Sequence, residues 1–460
     1  MATECIQKDF GFHPLKHREI RAQFDGGAIT TEGGGLLLRE VEKRIGIVRR
    51  FAACFQDYRN PDLIEHTVQE LVAQRVYGLA LGYEDLNDHE ELRKDPLLAV
   101  LVEKADPEGE LLAGKSTLNR LELTPSTASA KARYKKIVAD HAAVDRLLVD
   151  VFLAAHPQAL QQIVLDLDAT DDPLHGNQEG RFFHGYYGHY CYLPLYIFCG
   201  EFLLGARLRP SNIDASAGSV EELQRIVKQI RAVWPQVRIV VRGDSGFCRE
   251  ELMGWCEAEG VDYLLGLAKN ERLQAEIKKE LQQAKQQYQE TGRAARIFKE
   301  FYYKTRKSWS ERRRVVAKAE YLEKGENPRF VVTSLPAEKW PASALYEELY
   351  CARGDMENRI KEQLMLFADR TSTAYLRSNQ LRLYFSSVAY VLLQMLRHLG
   401  LQGTELGKAQ CATIRLKLLK IGALIRISVR KVWVSLAGGY PYVALFRQVH
   451  EKLCAVPLKC

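Results

Sequence analysis

Apolar runs in the middle of the chain predict a regular series of strands and helices. Residues 161–170 (QQIVLDLDAT) are rich in leucine and β-branched side chains, which predicts a buried strand. Two more strands, in YYGHYCYLPLYIFCG and EFLLGARLRPSNID, meet at Gly200–Glu201. A helix (GSVEELQRIVKQIRAVW), a strand (VRIVVRGDSGF, 237–247), a helix (CREELMGWCEAEG), a strand (VDYLLGLAKN) and a Gln/Lys/Glu-rich helix (271–290) follow. The order β-β-β-α-β-α-β-α predicts an α/β fold, in which a ribonuclease H-like mixed sheet is flanked by helices.

The same patterns predict five regions. They are a helical N-terminal region (1–150), the first part of the ribonuclease H-like core (160–270), an inserted helix and β-rich subdomain (271–340), the second part of the core (341–400) and a basic C-terminal region (401–460). In the first region, DLIEHTVQELVAQRVYGLALGY predicts an amphipathic helix. LRSNQLRLYFSSVAYVLLQMLRHLGL predicts a long helix that closes the core, and LIRISVRKVWVSL predicts a strand pair or an extended stretch.

Acidic residues stand at the ends of two predicted strands. Asp166 and Asp168 end the first strand and, being two apart, point to the same face, while Asp244 ends the fourth. Taken alone, each is more often a loop former or a helix cap. Because the first and fourth strands of such a sheet are neighbours, we expect one acid of the first strand to approach Asp244, with Glu357 arriving on a later helix. Three carboxylates at one point repel unless cations share them, so the pattern predicts two Mg²⁺ ions suited to phosphodiester transfer.

Four polar residues, Tyr350, Arg353, Glu357 and Lys361, are spaced 3, 4 and 4 apart in a helix-favouring stretch. In a regular α-helix they lie within about 60° of one another. A carboxylate between two cations and a phenol suits the joint binding of a metal ion and a phosphate. Arg353 and Tyr350 are candidates for phosphate contacts, or for holding Glu357 in place. A solvated stripe of i,i+4 charge pairs is the ordinary alternative.

At these residues the sequence resembles the DDE transposases of bacterial insertion sequences, of the cut-and-paste type with a Tyr-x2-Arg-x3-Glu signature and a group-one DDE domain. The matching segments, LDLDAT, VRGDSGF and YCARGDMENRIKE, lie within about residues 160–380. The resemblance implies that Asp168, in an Asp-x-Thr context, Asp244 and Glu357 hold Mg²⁺, for which Mn²⁺ can substitute. It also implies nicking at transposon ends and joining of the freed 3′-hydroxyl to target DNA. A lysine that related signatures place seven residues after the glutamate is Leu364 here, which leaves Lys361 as its possible replacement.

A competing motif lies in the N-terminal region. Residues 109–116 (GELLAGKS) match the phosphate-binding loop pattern G-x4-G-K-[ST], which would suggest a P-loop ATPase. Such a loop follows a buried strand, whereas residues 104–108 (KADPE) are polar. The alternative prediction is that Ser116 or Thr117 caps a short helix, STLNRLEL.

Composition excludes some classes of protein. The chain has 460 residues, 47% of them hydrophobic, enough for large cores. No signal-peptide pattern opens it and no 18-residue apolar run is present, so we expect neither secretion nor membrane spanning. The ten cysteines include no C-x2-C pair, which favours reduced thiols and a cytoplasmic location.

Positive charge is concentrated in two places. Residues 401–460 contain ten lysines and arginines against two glutamates, and residues 291–320 contain ten against three, mixed with Phe298, Phe301, Tyr302, Tyr303 and Trp309. Such mixtures suit double-stranded DNA, here transposon terminal inverted repeats and target DNA, and an unstacked base. In the N-terminal region, KSTLNRLEL with the basic AKARYKK predicts either a DNA-reading element or helical packing in a homodimer. A catalytically inactive DNA-binding protein remains an alternative to the transposase.

Overall fold

The structure, a computed structural model, describes residues 10–107 and 109–457. The strands are β1 (Phe10–Leu15), β2 (Arg18–Ala22), β3 (Ile29–Thr30), β4 (Phe55–Asp57), β5 (Ile137–Ala139), β6 (Gln162–Ala169), β7 (Asp172–Pro173), β8 (Phe182–His184), β9 (His189–Tyr192), β10 (Leu195–Cys199), β11 (Phe202–Arg207), β12 (Arg238–Gly243), β13 (Asp262–Leu267), β14 (Ala295–Tyr303), β15 (Arg313–Leu322), β16 (Gly325–Glu326), β17 (Arg329–Thr333), β18 (Ala423–Ser428) and β19 (Lys431–Leu436). The helices are α1 (Gly35–Ile45), α2 (Ile47–Ala52), α3 (Val68–Leu81), α4 (His89–Leu92), α5 (Pro96–Val102), α6 (Lys115–Glu122), α7 (His141–Ala155), α8 (Ser219–Val233), α9 (Glu250–Ala258), α10 (Glu271–Glu276), α11 (Lys278–Thr291), α12 (Ala342–Ala344), α13 (Gly354–Leu364), α14 (Leu376–Leu396), α15 (Cys411–Ile414) and α16 (Val443–Ala455).

The largest sheet has nine strands in the order β11-β10-β6-β12-β13-β17-β15-β14, with β16 beside β15. β6, β12 and β13 are parallel, and the other pairs are antiparallel. β6 and β12, the predicted first and fourth strands, are hydrogen-bonded neighbours with Asp166 opposite Arg242. The predicted mixed α/β fold, a large mixed sheet with helices, is therefore confirmed.

Side chains alternate between the two faces of this sheet, and each face is covered. One face carries an apolar cluster with the helical segment 345–350, formed by Val240, Leu264, Val316, Val331, Leu345 and Leu349. The opposite face belongs to the main core, which includes buried residues of α3, α8 and α14. Asp166, Asp168 and Arg242 have the parity of Val240 and its neighbour Val164, so they share the face that segment 345–350 crosses.

The strands within the predicted insertion continue the central sheet. Its predicted helix and strands are present as α10, α11, β14, β15 and β17, but β17 pairs with β13 and thereby extends the central sheet. Backbone groups of the β13 edge find partners in this way, which an isolated insertion would leave to solvent. The predicted domain boundaries themselves stay a prediction.

The N-terminal and C-terminal parts of the chain pack together. Strand β3 pairs with β18, Thr30 opposite Ala423, and β18 pairs with β19 as predicted. Nearby, the backbone N–H of Gly34 donates to the Leu419 carbonyl at 3.0 Å. A Cβ on Gly34 would lie 2.0 Å from the Leu418 oxygen, so this contact requires glycine.

From Leu71 onwards helix α3 is buried on all sides, so the prediction of an amphipathic helix is wrong there. Every residue from Leu71 to Leu81 is buried, including Gln74 and Arg75. Gln74 donates to the carbonyl of Ala113 at 2.8 Å, and Arg75 donates to the buried Glu122 at 2.8 Å. Both polar side chains find partners inside the core, so they do not mark a solvent face. The long helix predicted to close the core is α14, and it is buried along most of its length.

The phosphate-binding loop alternative is wrong. Helix α5, not a strand, precedes residues 109–116. The backbone N–H of Lys115 donates to the carboxylate of Glu90 at 2.9 Å, and its Nζ donates to Asn87 at 3.1 Å. A negative group thus lies where the motif would place a phosphate. The predicted caps Ser116 and Thr117 are also wrong, because α6 begins after Gly114 with no side-chain cap.

The basic segment AKARYKK (130–136) is exposed or half-buried and forms no helix or strand. Its role in DNA reading stays a prediction. Within residues 10–107 and 109–457, no helix is long and apolar enough to cross a membrane.

Candidate active site

Two of the predicted acids lie at the same edge of the central sheet. Asp168 lies near the end of β6, and Asp244 follows β12 directly. Because these strands are parallel neighbours, their carboxyl ends meet there. Asp168 Oδ1 accepts the N–H of Ala169 at 2.9 Å, and Asp244 Oδ1 accepts the N–H of Gly246 at 2.8 Å. Both side chains are therefore oriented by backbone groups next to them.

Asp166 does not join them. Both Asp166 and Arg242 have side chains only 7% exposed, and Arg242 donates to both carboxylate oxygens of Asp166, with Nη2 at 2.8 Å from Oδ2. Arg242 also donates to the carbonyl of Leu349. Arg242 thus links β6 and β12 to the segment that leads to Arg353. The carboxylate of Asp166, which the sequence left as an alternative to Asp168, is already paired with Arg242.

The segment with Tyr350, Arg353, Glu357 and Lys361 is helical but not one regular α-helix. Residues 345–350 form a π-helical turn, residues 351–353 form a 3₁₀ turn, and α13 begins at Gly354. The predicted 100° steps therefore fail between Tyr350 and Glu357. π-Helical turns occur frequently at functional sites.

Arg353 connects the carboxylates of the site. Its Nη1 lies 3.1 Å from Asp168 Oδ2, and its Nη2 lies 3.7 Å from Glu357 Oε1. Burial raises the pKa of Asp168 to about 6, and the charge of Asp244 adds to this, while Arg353 opposes it. Gly243 pairs with Leu167, so Asp244 and Asp168 follow at neighbouring positions of adjacent strands, where their charges repel.

A cavity of about 650 Å³ is lined by all of the predicted site residues except Tyr350. Its charged lining residues are Asp168, Asp244, Arg353, Glu357 and Lys361. Glu357 is 56% exposed, so it lies at the rim. Leu364, at the position of the missing family lysine, also lines the cavity, and Lys361 supplies a cation one turn earlier.

Tyr350 lines a neighbouring cavity of about 410 Å³, which shares Asp244 with the first. A Cβ on Gly266 would lie 2.6 Å from the Tyr350 hydroxyl and 2.9 Å from the N–H of Ser245, so glycine permits this close approach. Burial raises the pKa of Tyr350, so the phenol keeps its proton and can donate to an anion.

This second cavity contains two cations that the sequence analysis missed, Lys269 and Arg329. Lys269 follows the end of β13. A polar residue just after a predicted strand was the signal for Asp168 and Asp244, and the same signal is present for Lys269. Arg329 opens β17 and has no local signal, since only the pairing of β17 with β13 brings it to the site.

The carboxylates of Asp168, Asp244 and Glu357 are the type of ligand that binds a divalent cation, but they are not arranged around one point. Among the residues that the structure describes, no group of three or more His, Cys, Asp or Glu side chains lies close enough to hold a metal ion. The expected convergence of three carboxylates on one point is therefore absent, since Arg353 connects Asp168 to Glu357. Carboxylate oxygens are nevertheless the ligands that Mg²⁺ prefers, and the repulsion between Asp168 and Asp244 is what a bound cation would relieve.

Comparison with known proteins bears on the identity of this site. The family described as transposase DDE domain group 1 matches residues 12–458. The chain belongs to this family. The predicted resemblance is thus confirmed, and it extends over nearly the whole chain. None of the curated proteins matches the chain.

Among solved structures, the chain resembles the cryo-EM structure of the piggyBac transposase synaptic complex with hairpin DNA. The identity is 9%, the TM-score is 0.41, and the match covers 94% of this chain and 86% of that one. A likeness of this size is too distant to support a functional conclusion. The family match alone assigns the chain to the transposases, which act in DNA transposition.

In this transposase, most aromatic residues of the basic stretch 291–320 serve packing. Trp309 is buried against Tyr303 with ring centroids 5.8 Å apart, and Phe298 packs on Tyr346. Arg313 is buried between Glu250 and Glu257. Tyr302, 65% exposed, keeps the property expected of a base-stacking residue. Strand faces and DNA-binding surfaces share this composition, so the contact of residues 291–320 with DNA stays a prediction.

Proposed function

We propose that the chain is an active DDE transposase that uses Mg²⁺, or Mn²⁺ as a substitute, to hydrolyse phosphodiester bonds at transposon ends and to join the 3′-hydroxyl to target DNA. The observation that carries this proposal is the meeting of Asp168 and Asp244 at the carboxyl ends of two parallel strands, in one cavity with Glu357. The strand order from β11 to β13 supports a ribonuclease H-like core, with helices crossing both faces.

Asp168, Asp244 and Glu357 are the proposed metal ligands. When bound, a pair of divalent ions would activate the attacking oxygen and stabilise the leaving one. The chain contributes a half-buried carboxylate pair whose backbone hydrogen bonds limit its rotation. Glu357 lies in the first turn of α13, which begins at Gly354 directly after Arg353. A shift of this first turn would change the distance between Glu357 and the two aspartates.

Arg353, Lys361 and Tyr350 are the proposed phosphate-binding residues. Arg353 presents a planar guanidinium with several donors inside the cavity, and this geometry suits two oxygens of one phosphate. Lys361 provides a point charge on the same helix as Glu357. Tyr350 contributes a neutral hydroxyl from the adjoining cavity. The proposed substrates are the terminal inverted repeats of the element and its target DNA, bound by a homodimer.

The competing proposal is a DNA-binding protein without catalysis. The direct Arg353–Asp168 contact favours it, because an arginine that neutralises the aspartate permanently would replace the metal. The presence of all three acids and of Lys361 around one cavity favours the enzyme.

The test is cleavage of supercoiled DNA that carries the element's ends, in Mg²⁺, by the wild-type chain and by Glu357→Gln. Asp355→Asn is the matched control, because Asp355 is an exposed carboxylate of the same helix that does not line the cavity. We expect cleavage by the wild type and the control, and a loss of at least about a hundredfold in Glu357→Gln with DNA binding retained. Binding without cleavage by the wild type, in both Mg²⁺ and Mn²⁺, would favour the inactive protein.

A further inference from the structure

The N-terminal hairpin β1–β2 has an apolar face that the described part of the chain leaves open. Phe10 pairs with Ala22 and Phe12 pairs with Ile20. Residues that pair across antiparallel strands point to the same face, so these four side chains form one surface. Phe24 extends it, with its ring edge-on to Phe10 at 5.8 Å. Every residue of both strands is exposed, Phe12 by 61%.

Such a hairpin is not expected to be stable alone. Two strands without a packed face are marginal in water, because they bury too little apolar area to offset the entropy lost on ordering. A contiguous exposed apolar face commonly marks a binding surface. The hairpin therefore needs a partner surface.

A surface with matching properties lies where the hairpin joins the body of the protein. A groove of about 900 Å³, here called the acidic groove, has an apolar lining that includes Ile29, Leu92, Ile425 and Ile427. These residues come from β3, α4 and β18, so the groove crosses the junction between the N-terminal and C-terminal parts.

The rim of the acidic groove is negative and the hairpin is positive. Asp88, Glu91 and Asp95 line the groove with a single cation, Lys94, which lies 3.0 Å from Glu91. In residues 10–22 the charged side chains are Lys16, Arg18, Glu19 and Arg21, which sum to +2, against −2 for the groove. An apolar centre with an opposite charge on each side is the arrangement of a specific protein interface.

The groove also contains an open sheet edge. Strand β3 pairs with β18 only at Ala423 and Leu424, and Ile425 donates its N–H to the Ala28 carbonyl at 2.8 Å. Backbone groups of alternate residues point to the same side of a strand, so the N–H and C=O of Ile427 face the same edge beyond the end of β3. None of the described strands pairs with Ile427 on that side. An added strand would satisfy these groups.

We propose that the hairpin β1–β2 of one copy of the chain docks into the acidic groove of a second copy, and that two copies exchange hairpins reciprocally. The linker of residues 23–28 contains Gly26 and Gly27, the latter at φ +74°, and the hairpin, exposed at every residue, does not occupy its own groove. Exchange of an identical element through such a hinge is a common route to dimers.

The area is sufficient for a stable dimer. Phe10, Phe12 and Phe24 are 45%, 61% and 98% exposed, so at about 200 Å² for a whole side chain they can bury about 400 Å² per hairpin. Two hairpins and the groove surfaces that they cover then exceed the roughly 1,200 Å² of a stable interface. This dimer does not depend on the metal site, so its test is independent of the proposed catalysis.

The first experiment measures the mass of the full chain in solution without DNA, by size-exclusion chromatography with light scattering over micromolar concentrations. Phe12→Ser changes the hairpin and Ile427→Ser changes the groove. Trp433→Ser is the matched control, because Trp433 is 57% exposed but pairs opposite Arg426, on the other face of β18–β19 from Ile427. We expect a wild-type dimer, a dissociation constant raised at least about tenfold in both test variants, and no change in the control.

The second experiment distinguishes exchange from closure within one chain. A photocrosslinking phenylalanine analogue at position 12 is introduced into both ¹⁴N and ¹⁵N chains, which are mixed and irradiated. Crosslinks from Phe12 to the peptide around Ile427 with mixed isotopes support the proposal. A monomeric wild type, crosslinks only within one isotope, or a Phe12→Ser variant that loses DNA binding while its dimer is unchanged would overturn it.

Discussion

The buried pair Arg242–Asp166 should be essential for stability although neither residue lines the candidate active-site cavity. In Arg242→Met the carboxylate of Asp166 stays buried without its cation, and the Leu349 carbonyl loses a donor. Removing one partner of a buried ion pair costs about 3–5 kcal/mol. Because both side chains are only 7% exposed, little of this cost is relieved by water.

The double variant Arg242→Met with Asp166→Leu removes both charges. Replacing a whole buried pair with apolar residues of similar volume is often close to neutral, so we expect this variant to recover most of the lost stability. Arg249→Met provides the control, because the Arg249–Asp214 pair, at 2.8 Å, is nearly half exposed. Its loss should cost about 1 kcal/mol or less.

The assay is equilibrium urea unfolding of the four chains, followed by far-ultraviolet circular dichroism. The reasoning would be refuted by a loss of less than about 1 kcal/mol in Arg242→Met, or by a double variant no more stable than the single one. Either result would mean that Asp166 is solvated or neutral in the folded chain.

Three further predictions concern the glycines and a buried acid. Gly34→Ala should lower the free energy of unfolding by at least about 2 kcal/mol, because its Cβ would enter the backbone of the C-terminal segment. The control Gly254→Ala, in α9 with open space around it, should raise the free energy of unfolding by up to about 1 kcal/mol. Equal urea midpoints for the two variants would contradict this prediction. Burial raises the pKa of Asp172 to about 8, against a usual value of 3.8. The folded chain thus holds a proton that the unfolded chain releases, and the free energy of unfolding should fall as the pH rises from about 4 to 8. Asp172→Asn should flatten this dependence and be more stable than wild type at pH 8, as urea unfolding at pH 5 and pH 8 will show. Gly266→Ala should lower DNA cleavage at least about tenfold without unfolding the chain, because its Cβ would press on the Tyr350 hydroxyl and on the backbone beside Asp244. An undiminished rate of cleavage would mean that the strand shifts without disturbing the site.

Local patterns in the sequence were enough to locate most strands and helices of the core. The strands at 161–170 and 237–247, and the pair joined at Gly200–Glu201, follow from runs of apolar residues whose spacing depends only on near neighbours. The acids at strand ends were recognisable for the same reason. The family was recognisable because its signature residues lie in three short segments.

The tertiary structure decided what depends on residues far apart in the chain. Asp166 and Asp168 have the same parity, and only Arg242 on the neighbouring strand distinguishes them by neutralising Asp166. The burial of α3 depends on Glu122 and other partners outside the helix. Its polar residues therefore gave the pattern of an amphipathic helix although they are buried. The π-helical turn that separates Tyr350 from the α-helical register of Glu357 likewise arises where segment 345–350 packs across the sheet. Period and propensity are local properties, whereas burial, ion pairing and the joining of sheets are set by long-range contacts.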